Sequence, residues 1–171
     1  MLRFACLGIL LLAVTACATS EPAPPPPPPV DTIALVGAIR AAAGPDDAED
    51  ELAIRPLRDP MVEDARLQAQ RLERERKYDD AAAALDQAIA VVPDDPALLQ
   101  ERAEAAVLAG QFDVAESFAL RAHGLGAQVG PLCRRHWATV RTAREQRGDV
   151  AGATEATKQL DACKVAAPPR Y

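Results

Sequence analysis

The residues with the greatest chemical reactivity in this chain of 171 amino acids are four cysteines and two histidines. Cys133 and Cys163 each lie fifteen residues from Gly148, so an antiparallel pair of helices joined at that glycine would bring the two sulfurs level. In an oxidising compartment such a pair forms a disulfide. Closing a loop of roughly 30 residues contributes roughly 3.5 kcal/mol to stability in the chain-entropy model. We therefore predict a disulfide between Cys133 and Cys163.

The same cysteines allow two other chemistries. Together with His136, and with His123 as a fourth donor, they could bind zinc. The sequence contains no closely spaced Cys-x-x-Cys or His-x-x-x-His pair, although structural zinc sites usually have one. Redox catalysis is disfavoured because catalytic dithiols are mostly close in sequence. We expect no metal site and no cofactor, and we interpret both histidines as partly exposed surface residues.

Other catalytic patterns are missing from the sequence. The serines that follow residue 16, Ser20 and Ser117, do not lie in a Gly-x-Ser-x-Gly turn, and no glycine-rich loop could bind phosphate. The acidic residues at 46–51 and at 94–95 flank predicted turns or helix starts, where carboxylates stabilise the helix dipole. The formal net charge of −6 disfavours nucleic acid as a partner. We expect no catalytic residues and no enzymatic activity.

Five arginines make the last part of the chain locally basic, and they have two interpretations. They could face an anionic lipid or a wall polymer, or they could simply form a solvated helix surface. The five are Arg134, Arg135, Arg141, Arg144 and Arg147.

The stretch that precedes Cys17 is typical of an exported protein. Arg3 supplies one positive charge, and the apolar residues 4–14 that follow are too few to span a bilayer as a mature helix. The sequence Val-Thr-Ala-Cys at 14–17 resembles the lipobox of bacterial lipoproteins. The resemblance implies that residues 1–16 are a cleaved signal peptide and that acyl chains on Cys17 anchor the mature chain. The alternative is an ordinary secretory signal with a chance cysteine.

Residues 17–30 follow as a lipid-anchored, proline-rich linker. Ala18 occupies the position where an aspartate would resemble an inner-membrane retention signal, so the resemblance implies the outer membrane, with the chain facing the periplasm. Seven prolines between Pro22 and Pro29 favour a polyproline II rod. Such a rod spans about 25 Å and would hold a domain clear of the lipid headgroups. A ligand for a proline-reading domain is the alternative, but the run lacks a flanking basic residue.

A repeat of helical hairpins organises the rest of the chain. Tyr78 and Phe112 lie thirty-four residues apart, and two pairs of alanines keep the same offset, namely Ala81 with Ala115 and Ala88 with Ala122. This pattern resembles the tetratricopeptide repeat (TPR) at residues 62–95 and 96–129. The resemblance implies an all-α fold, a short α-solenoid of about three TPR-like hairpins, because one hairpin alone cannot bury its apolar face. We assign it to residues 61–165 and expect a disordered tail at 166–171.

The third repeat is weaker and follows a short insertion at residues 125–130. If Gly148 is its turn, Trp137 takes the position of the large aromatic residue in the first helix. Val150 and Ala153 then take the later aromatic and small positions. The frame of the repeat therefore holds to the end of the domain.

Residues 31–60 resemble no motif. Asp31 can cap a helix over residues 32–43, with Gly44 and Pro45 after it and with Ile33, Val36 and Ile39 as its apolar contacts. Two prolines then favour an extended piece over residues 52–60. Its apolar side chains would cover the open end of the first repeat or lie in the groove between the first helices. These side chains are Leu52, Ile54 and Leu57.

The resemblance to TPR proteins implies that the first helix of each repeat lines a concave surface that binds a partner. We therefore predict a protein or peptide partner in the cell envelope, and an adaptor without catalysis. The alternative is an envelope-assembly or wall-maintenance spacer in which the proline-rich rod matters more than the groove. The sequence does not indicate the oligomeric state. The residues predicted to line the groove are Arg66, Gln70, Glu73, Gln100, Glu104, Val107, Ala138, Thr142 and Glu145.

Overall fold

The structure, a computed structural model, describes residues 29–44 and 59–164. Our predictions for the signal peptide, Cys17, the extended piece up to residue 58 and the C-terminal tail lie outside these residues. The described part contains seven α-helices and no strand: α1 (Thr32–Ala41), α2 (Pro60–Arg74), α3 (Tyr78–Val91), α4 (Pro96–Leu108), α5 (Phe112–Leu125), α6 (Pro131–Gln146) and α7 (Val150–Ala162). None of these helices is both long and apolar enough to cross a membrane.

Six of the helices form three hairpins that stack in sequence order. Helix α2 packs on α3, α4 on α5 and α6 on α7, and the contacts of α3 with α4 and of α5 with α6 join neighbouring hairpins. The second helix of each hairpin begins at Tyr78, Phe112 and Val150, the positions that the repeat frame predicts. The predicted all-α solenoid of TPR-like hairpins is confirmed.

Local sequence explains where the first helices begin. Each starts with a proline, whose missing N–H is not needed in the first turn and whose fixed φ suits a helix. Asp59 and Asp95 precede two of these prolines and cap the helices with their carboxylates. Asp59 accepts a hydrogen bond from the amide of Met61, and Asp95 accepts one from the amide of Ala97, each over 2.8 Å.

Alanines fill most contacts between the helices. Small side chains allow closer helix packing, so a chain poor in aromatic residues can still form a dense core. Leucines fill the wider spaces, with Leu98 and Leu99 fully buried in α4. The alanines that no solvent reaches include Ala81, Ala103, Ala105, Ala115, Ala119 and Ala122.

The turn inside each hairpin contains one residue with a left-handed backbone. Gly110 and Gly148 take this conformation in the second and third hairpins, with φ of 73° and 76°. Arg76 takes it in the first hairpin, with φ of 60°. Glycine is the residue that adopts this conformation without steric cost, so Arg76 is the exception.

A disulfide joins the two ends of the last hairpin. Cys133 lies in the first turn of α6 and Cys163 caps the end of α7, with their Cα atoms 5.7 Å apart. The amide of Gly130 donates a hydrogen bond of 2.7 Å to the carbonyl of Cys163. The end of α7 is therefore held to the start of α6 by a covalent bond and a hydrogen bond.

Helix α1 does not belong to a hairpin. It lies across α4 and α6, with Val36 and Ile39 buried against Val107 and Ala138. Ile33, which we expected to make an apolar contact, is 48% exposed. The helix also ends at Ala41 rather than at residue 43, because Gly44 takes a left-handed conformation with φ of 89°.

Candidate functional site

The concave face predicted to bind a partner is formed by α2, α4 and α6, and α1 covers its α4–α6 part. The apolar side chains at 52, 54 and 57, which are the other candidates for this groove, lie outside the described residues. Five of the residues predicted to line the groove are buried and are therefore not available to a partner in this structure. They are Gln100, Glu104, Val107, Ala138 and Thr142.

Glu104 is the centre of a buried polar network beneath α1. Its side chain is fully buried, yet it accepts hydrogen bonds from three donors. Arg40 of α1 donates from Nε over 2.7 Å, Arg135 of α6 from Nε over 3.0 Å, and Gln100 from Nε2 over 2.9 Å. A buried carboxylate is tolerated only when it is paired and hydrogen-bonded in this way.

Arg40 also connects α1 to the first hairpin. Its NH2 group lies 3.0 Å from Oε2 of Glu73 in α2. Partial burial acts to lower the pKa of Arg40, but the attraction of Glu104 and Glu73 and the hydrogen bonds that Arg40 donates to them outweigh this effect and raise that pKa above its usual value. The guanidinium therefore links three helices as a permanent cation.

Gln100 connects this network to a buried histidine, His136, by hydrogen bonds. Its amide nitrogen donates to Glu104 and, over 2.8 Å, to Oγ1 of Thr139, which leaves its oxygen to accept from Nδ1 of His136 over 2.8 Å. Because a carboxylate can only accept, this order places the proton of His136 on Nδ1. Burial, with smaller contributions from His123 and Arg135, lowers the pKa of His136 to about 3. His136 is therefore neutral at ordinary pH.

The prediction that His136 is partly exposed is wrong, since its side chain is fully buried. The hydrogen bond to Gln100 makes this burial possible, although Nε2 has no hydrogen-bond partner among the described residues. His123 is partly exposed as expected, and its ring contacts Trp137 with centroids 4.9 Å apart. The described residues do not assemble the alternative zinc site, because the sulfurs of Cys133 and Cys163 are bonded to each other.

Both ends of α1 are held by hydrogen bonds to the hairpins. At its start, Oγ1 of Thr32 donates over 3.0 Å to the carbonyl of Leu108. At its end, Nε of Arg134 donates to the carbonyls of Ala42 and Ala43, each over 3.1 Å. These contacts satisfy carbonyls that a helix end leaves without partners.

The locally basic arginines are paired with carboxylates or with backbone carbonyls, and Arg147 among them is exposed. Arg144 donates from Nε to Glu116 of α5 over 2.7 Å, and Arg147 pairs with Asp113 and Glu116 of the same helix. Arg141 lies 3.6 Å from Glu145, a predicted groove residue that is exposed at the end of α6. Apart from Arg141, whose partner lies in α6 itself, these arginines therefore contact neighbouring helices, since Arg134 and Arg135 make the contacts with α1 and α4 described above.

The part of the concave face that α1 leaves uncovered belongs to α2. Three predicted groove residues lie there. Gln70 is exposed, Glu73 pairs with Arg40, and Arg66 donates to Glu101 of α4 and to Glu63, in each case over 2.8 Å. The hydrogen bonds that Arg66 donates to Glu101, opposed by burial, raise the pKa of Arg66 above its usual value. This surface is polar and internally paired.

The space between α1 and α2, which we call the α1–α2 groove, contains two adjoining pockets of about 400 Å³ each. The pair formed by Arg40 and Glu73 lines both, and so does Arg74. We call the first the polar pocket, lined by Arg66, Gln70, Glu101 and Arg135 among others, and the second the apolar pocket, lined by Ile33, Val36, Gly37, Tyr78 and Leu108. Volumes of this size are typical of ligand sites. Among the described residues, the groove is the part of the concave surface that no other helix covers.

Sequence reasoning predicted only part of this groove. The repeat frame placed Gln70 and Glu73 on its α2 wall, but the α1 wall, with Gly37 and Arg40, was missed. One signal was available, since a glutamate in the middle of a helix that is otherwise rich in alanine and leucine requires a cation from elsewhere in the chain.

No protein-family description and no curated protein matches the chain. Several solved structures resemble it, among them the following two. The globular C-terminal domain of LpoP from P. aeruginosa is 28% identical with a TM-score of 0.58, and the match covers 61% of this chain and 99% of that domain. The TPR domain of Sgt2 from Aspergillus fumigatus is 24% identical with a TM-score of 0.56, covering 61% of this chain and 67% of that one. Both likenesses agree with a TPR-like solenoid.

Proposed function

We propose that this chain is a lipoprotein of the outer membrane that holds a protein-binding, TPR-like domain on the periplasmic side and carries out no catalysis. The lipobox-like residues 14–17 and the proline-rich residues 22–29 support the anchor and the spacing of the domain from the membrane. The likeness to the C-terminal domain of LpoP supports a protein whose folded part follows an N-terminal stretch. The partner is a protein or peptide of the cell envelope.

The observation that carries the proposal is the open concave face of α2. Stacked helical hairpins bind partners on such faces, and here α1 covers α4 and α6 while no other described helix covers the α1–α2 groove. The groove combines charged, amide and apolar side chains. This mixture suits a peptide better than a small apolar molecule.

Crosslinking in intact cells tests the proposal. The full-length chain and a Cys17→Ser variant are crosslinked, purified and analysed by mass spectrometry. We expect one envelope protein to be enriched with the anchored chain and to be lost or much reduced with Cys17→Ser, because the anchor holds the domain where its partner is. Absence of any protein above background from the anchored chain would contradict the recognition function.

Substitution of exposed residues tests the role of the α1–α2 groove. Gln100 and Glu104 are unsuitable because they are buried, and changing them would disrupt the polar network. Gln70→Ala with Arg74→Ala removes two exposed side chains that line the polar pocket. Glu155→Ala with Lys158→Ala, also exposed and on α7, is the matched control. We expect the first pair to reduce capture of the partner and the second to leave it unchanged.

One observation favours the alternative function, a spacer or tether. Helix α1 already covers α4 and α6, which are two of the three first helices of the hairpins. Deletion of residues 22–29 separates the two functions. A defect of the cell envelope caused by this deletion alone would favour the spacer. A defect caused by the Gln70→Ala, Arg74→Ala variant alone would favour recognition.

A further inference from the structure

We propose that the apolar pocket of the α1–α2 groove binds an acidic peptide segment of the partner protein, with an apolar side chain in the pocket and carboxylates on its rim. The inference rests on the proposed function, and it adds the surface that is used and the chemistry of the partner.

The walls of the pocket are suited to one or two apolar side chains. Ile33, Val36 and Gly37 form the α1 wall, and Tyr78 and Leu108 face them from the hairpins. Val36 and Leu108 are already buried, but Ile33 is 48% exposed and Tyr78 is partly exposed. A ligand side chain placed between them would remove this remaining apolar surface from water.

The rim of the pocket is positively charged. Arg74 and Arg76 line it, both are exposed, and neither forms a salt bridge with a described residue. By contrast, the nearby Arg40 is paired with Glu73 and Glu104. Two guanidinium groups beside an apolar pocket complement a peptide that carries carboxylates next to an apolar residue, since arginine binds carboxylates in two-pronged geometry.

Gly37 supports the same conclusion independently. It lies in the middle of α1, where a glycine destabilises the helix by about 1 kcal/mol relative to alanine. Neither of the usual reasons for a glycine applies, because its φ is not positive and a Cβ atom built on it would meet nothing within 4 Å. The fold therefore does not require a glycine here. What the missing side chain does provide is space in the apolar pocket.

Arg76 is the converse case. It takes the left-handed conformation that glycine takes in the other two hairpins, at a steric cost that glycine would avoid. The fold would be better served by glycine at this position, yet the chain has a guanidinium on the rim of the pocket. Two residues that are each unfavourable for folding thus meet at one pocket, a pattern expected at a functional site.

Selection of peptides tests the proposal even while the partner protein is unidentified. A phage-displayed library of random peptides of about 12 residues is panned on the full-length chain, at about 50 mM NaCl to favour ionic contacts. Binders shared with a Gly37→Leu variant are removed. We expect the remaining peptides to carry at least one large apolar residue beside Asp or Glu.

Binding of a synthesised, fluorescein-labelled peptide from this selection is then measured by fluorescence polarisation. Gly37→Leu fills the pocket and should weaken binding at least about tenfold, whereas the control Gly37→Ala should change it less than about twofold. Arg74→Glu with Arg76→Glu should also weaken binding about tenfold or more, and salt should reduce the remaining affinity. Circular dichroism checks that every variant keeps its helices.

Four outcomes would overturn the proposal. The first three are that no peptide is selected on the wild-type chain over Gly37→Leu, that the selected peptides lack acidic residues, and that a selected peptide binds the wild-type and Gly37→Leu chains with equal affinity. The fourth is binding to vesicles of phosphatidylglycerol and phosphatidylethanolamine that Gly37→Leu abolishes, which would assign the pocket to lipid. The crosslinking experiment distinguishes the two levels. If Gly37→Leu captures the partner in cells as well as the wild-type chain does, the role of the pocket is contradicted but the proposed function is not. If the wild-type chain captures no partner, the proposed function itself is contradicted.

Discussion

Arg40 in α1 donates from Nε to Oε2 of Glu104 in α4 over 2.7 Å, although the two residues are 64 positions apart in the chain. Glu104 is fully buried, and its other oxygen is held by Arg135 of α6. The helix before the repeats therefore supplies half of the positive charge that a buried carboxylate of the repeats requires. Helix α1 is part of the domain's polar core as well as of its apolar core.

The first prediction concerns Glu104. Glu104→Ala leaves Gln100 and Arg135 without their buried acceptor. Removing one partner of a buried ion pair costs about 3–5 kcal/mol when the other charge stays buried, and because Arg40 and Arg135 are 48% and 26% exposed we expect the lower end, about 3 kcal/mol. We expect a decrease of this size in the free energy of unfolding, measured by urea denaturation. Hydrogen exchange should show the largest loss of protection in α1, because Arg40 loses its main anchor.

Glu101→Ala is the matched control for Glu104→Ala, since it lies in the same helix and also pairs with an arginine, Arg66, but is partly exposed. It should destabilise the domain clearly less and should leave the amides of α1 protected. Equal losses for both variants would contradict the central role assigned to Glu104.

The second prediction concerns the disulfide. Its cysteines are separated by 30 positions, so reduction removes a constraint worth roughly 3.5 kcal/mol in the chain-entropy model. We expect a reductant to lower the Tm of the wild-type chain and to leave a Cys133→Ala, Cys163→Ala variant unchanged at its own lower Tm. The amides of α7 should lose protection first, because only α6 packs substantially against this helix among those described. A Tm that does not respond to reductant would show that the disulfide contributes nothing.

The hairpins could be predicted from the sequence, and the position of α1 could not. Within a hairpin, the information is local: Tyr78 and Phe112 mark the second helices, and Gly110 and Gly148 mark the turns. The site of α1 depends on contacts between residues far apart in sequence, such as the 92 positions between Ala42 and Arg134. Val36 and Ile39 predict that α1 packs on something, but they would fit any apolar surface of the solenoid equally well.

The groove residues show the same division. The repeat frame predicts that Gln100 and Glu104 face the concave side, because the helical period sets that side, and the structure shows both residues fully buried. Whether the side is open depends on a helix outside the repeat, about which the frame carries no information. The burial of His136 was missed for the same reason, since its partner Gln100 lies in the neighbouring hairpin.

The third prediction concerns pH. Burial lowers the pKa of His136 from the usual 6.5 to about 3, so the unfolded chain binds a proton before the folded one as the pH falls. The folded state therefore loses stability below pH 6.5, and the loss stops only near pH 3. Between pH 7 and pH 5 we expect the free energy of unfolding to decrease by about 2 kcal/mol, measured by urea denaturation at both values.

His136→Asn is the test of this assignment, because an asparagine amide can donate to Gln100 in place of Nδ1 but does not titrate. Its stability should be lower at pH 7 and nearly independent of pH down to pH 5. His123→Asn is the control and should keep most of the dependence, since His123 is partly exposed, although burial lowers its pKa as well. A pH dependence that survives in His136→Asn would assign it to other groups.

The fourth prediction joins stability to binding at Arg76. Arg76→Gly removes a left-handed strain of about 1–2 kcal/mol and adds a backbone entropy cost of about 0.5–1 kcal/mol, so the net gain should be about 0.5–1 kcal/mol. Gly110→Ala, at the equivalent turn with open space around its Cβ position, should shift stability by a similar amount in the opposite direction. Urea denaturation of both variants measures these changes. If Arg76 contributes to binding in the α1–α2 groove, the more stable Arg76→Gly chain should also bind the acidic peptide more weakly. A gain in stability with unchanged affinity would show that Arg76 has no role in recognition.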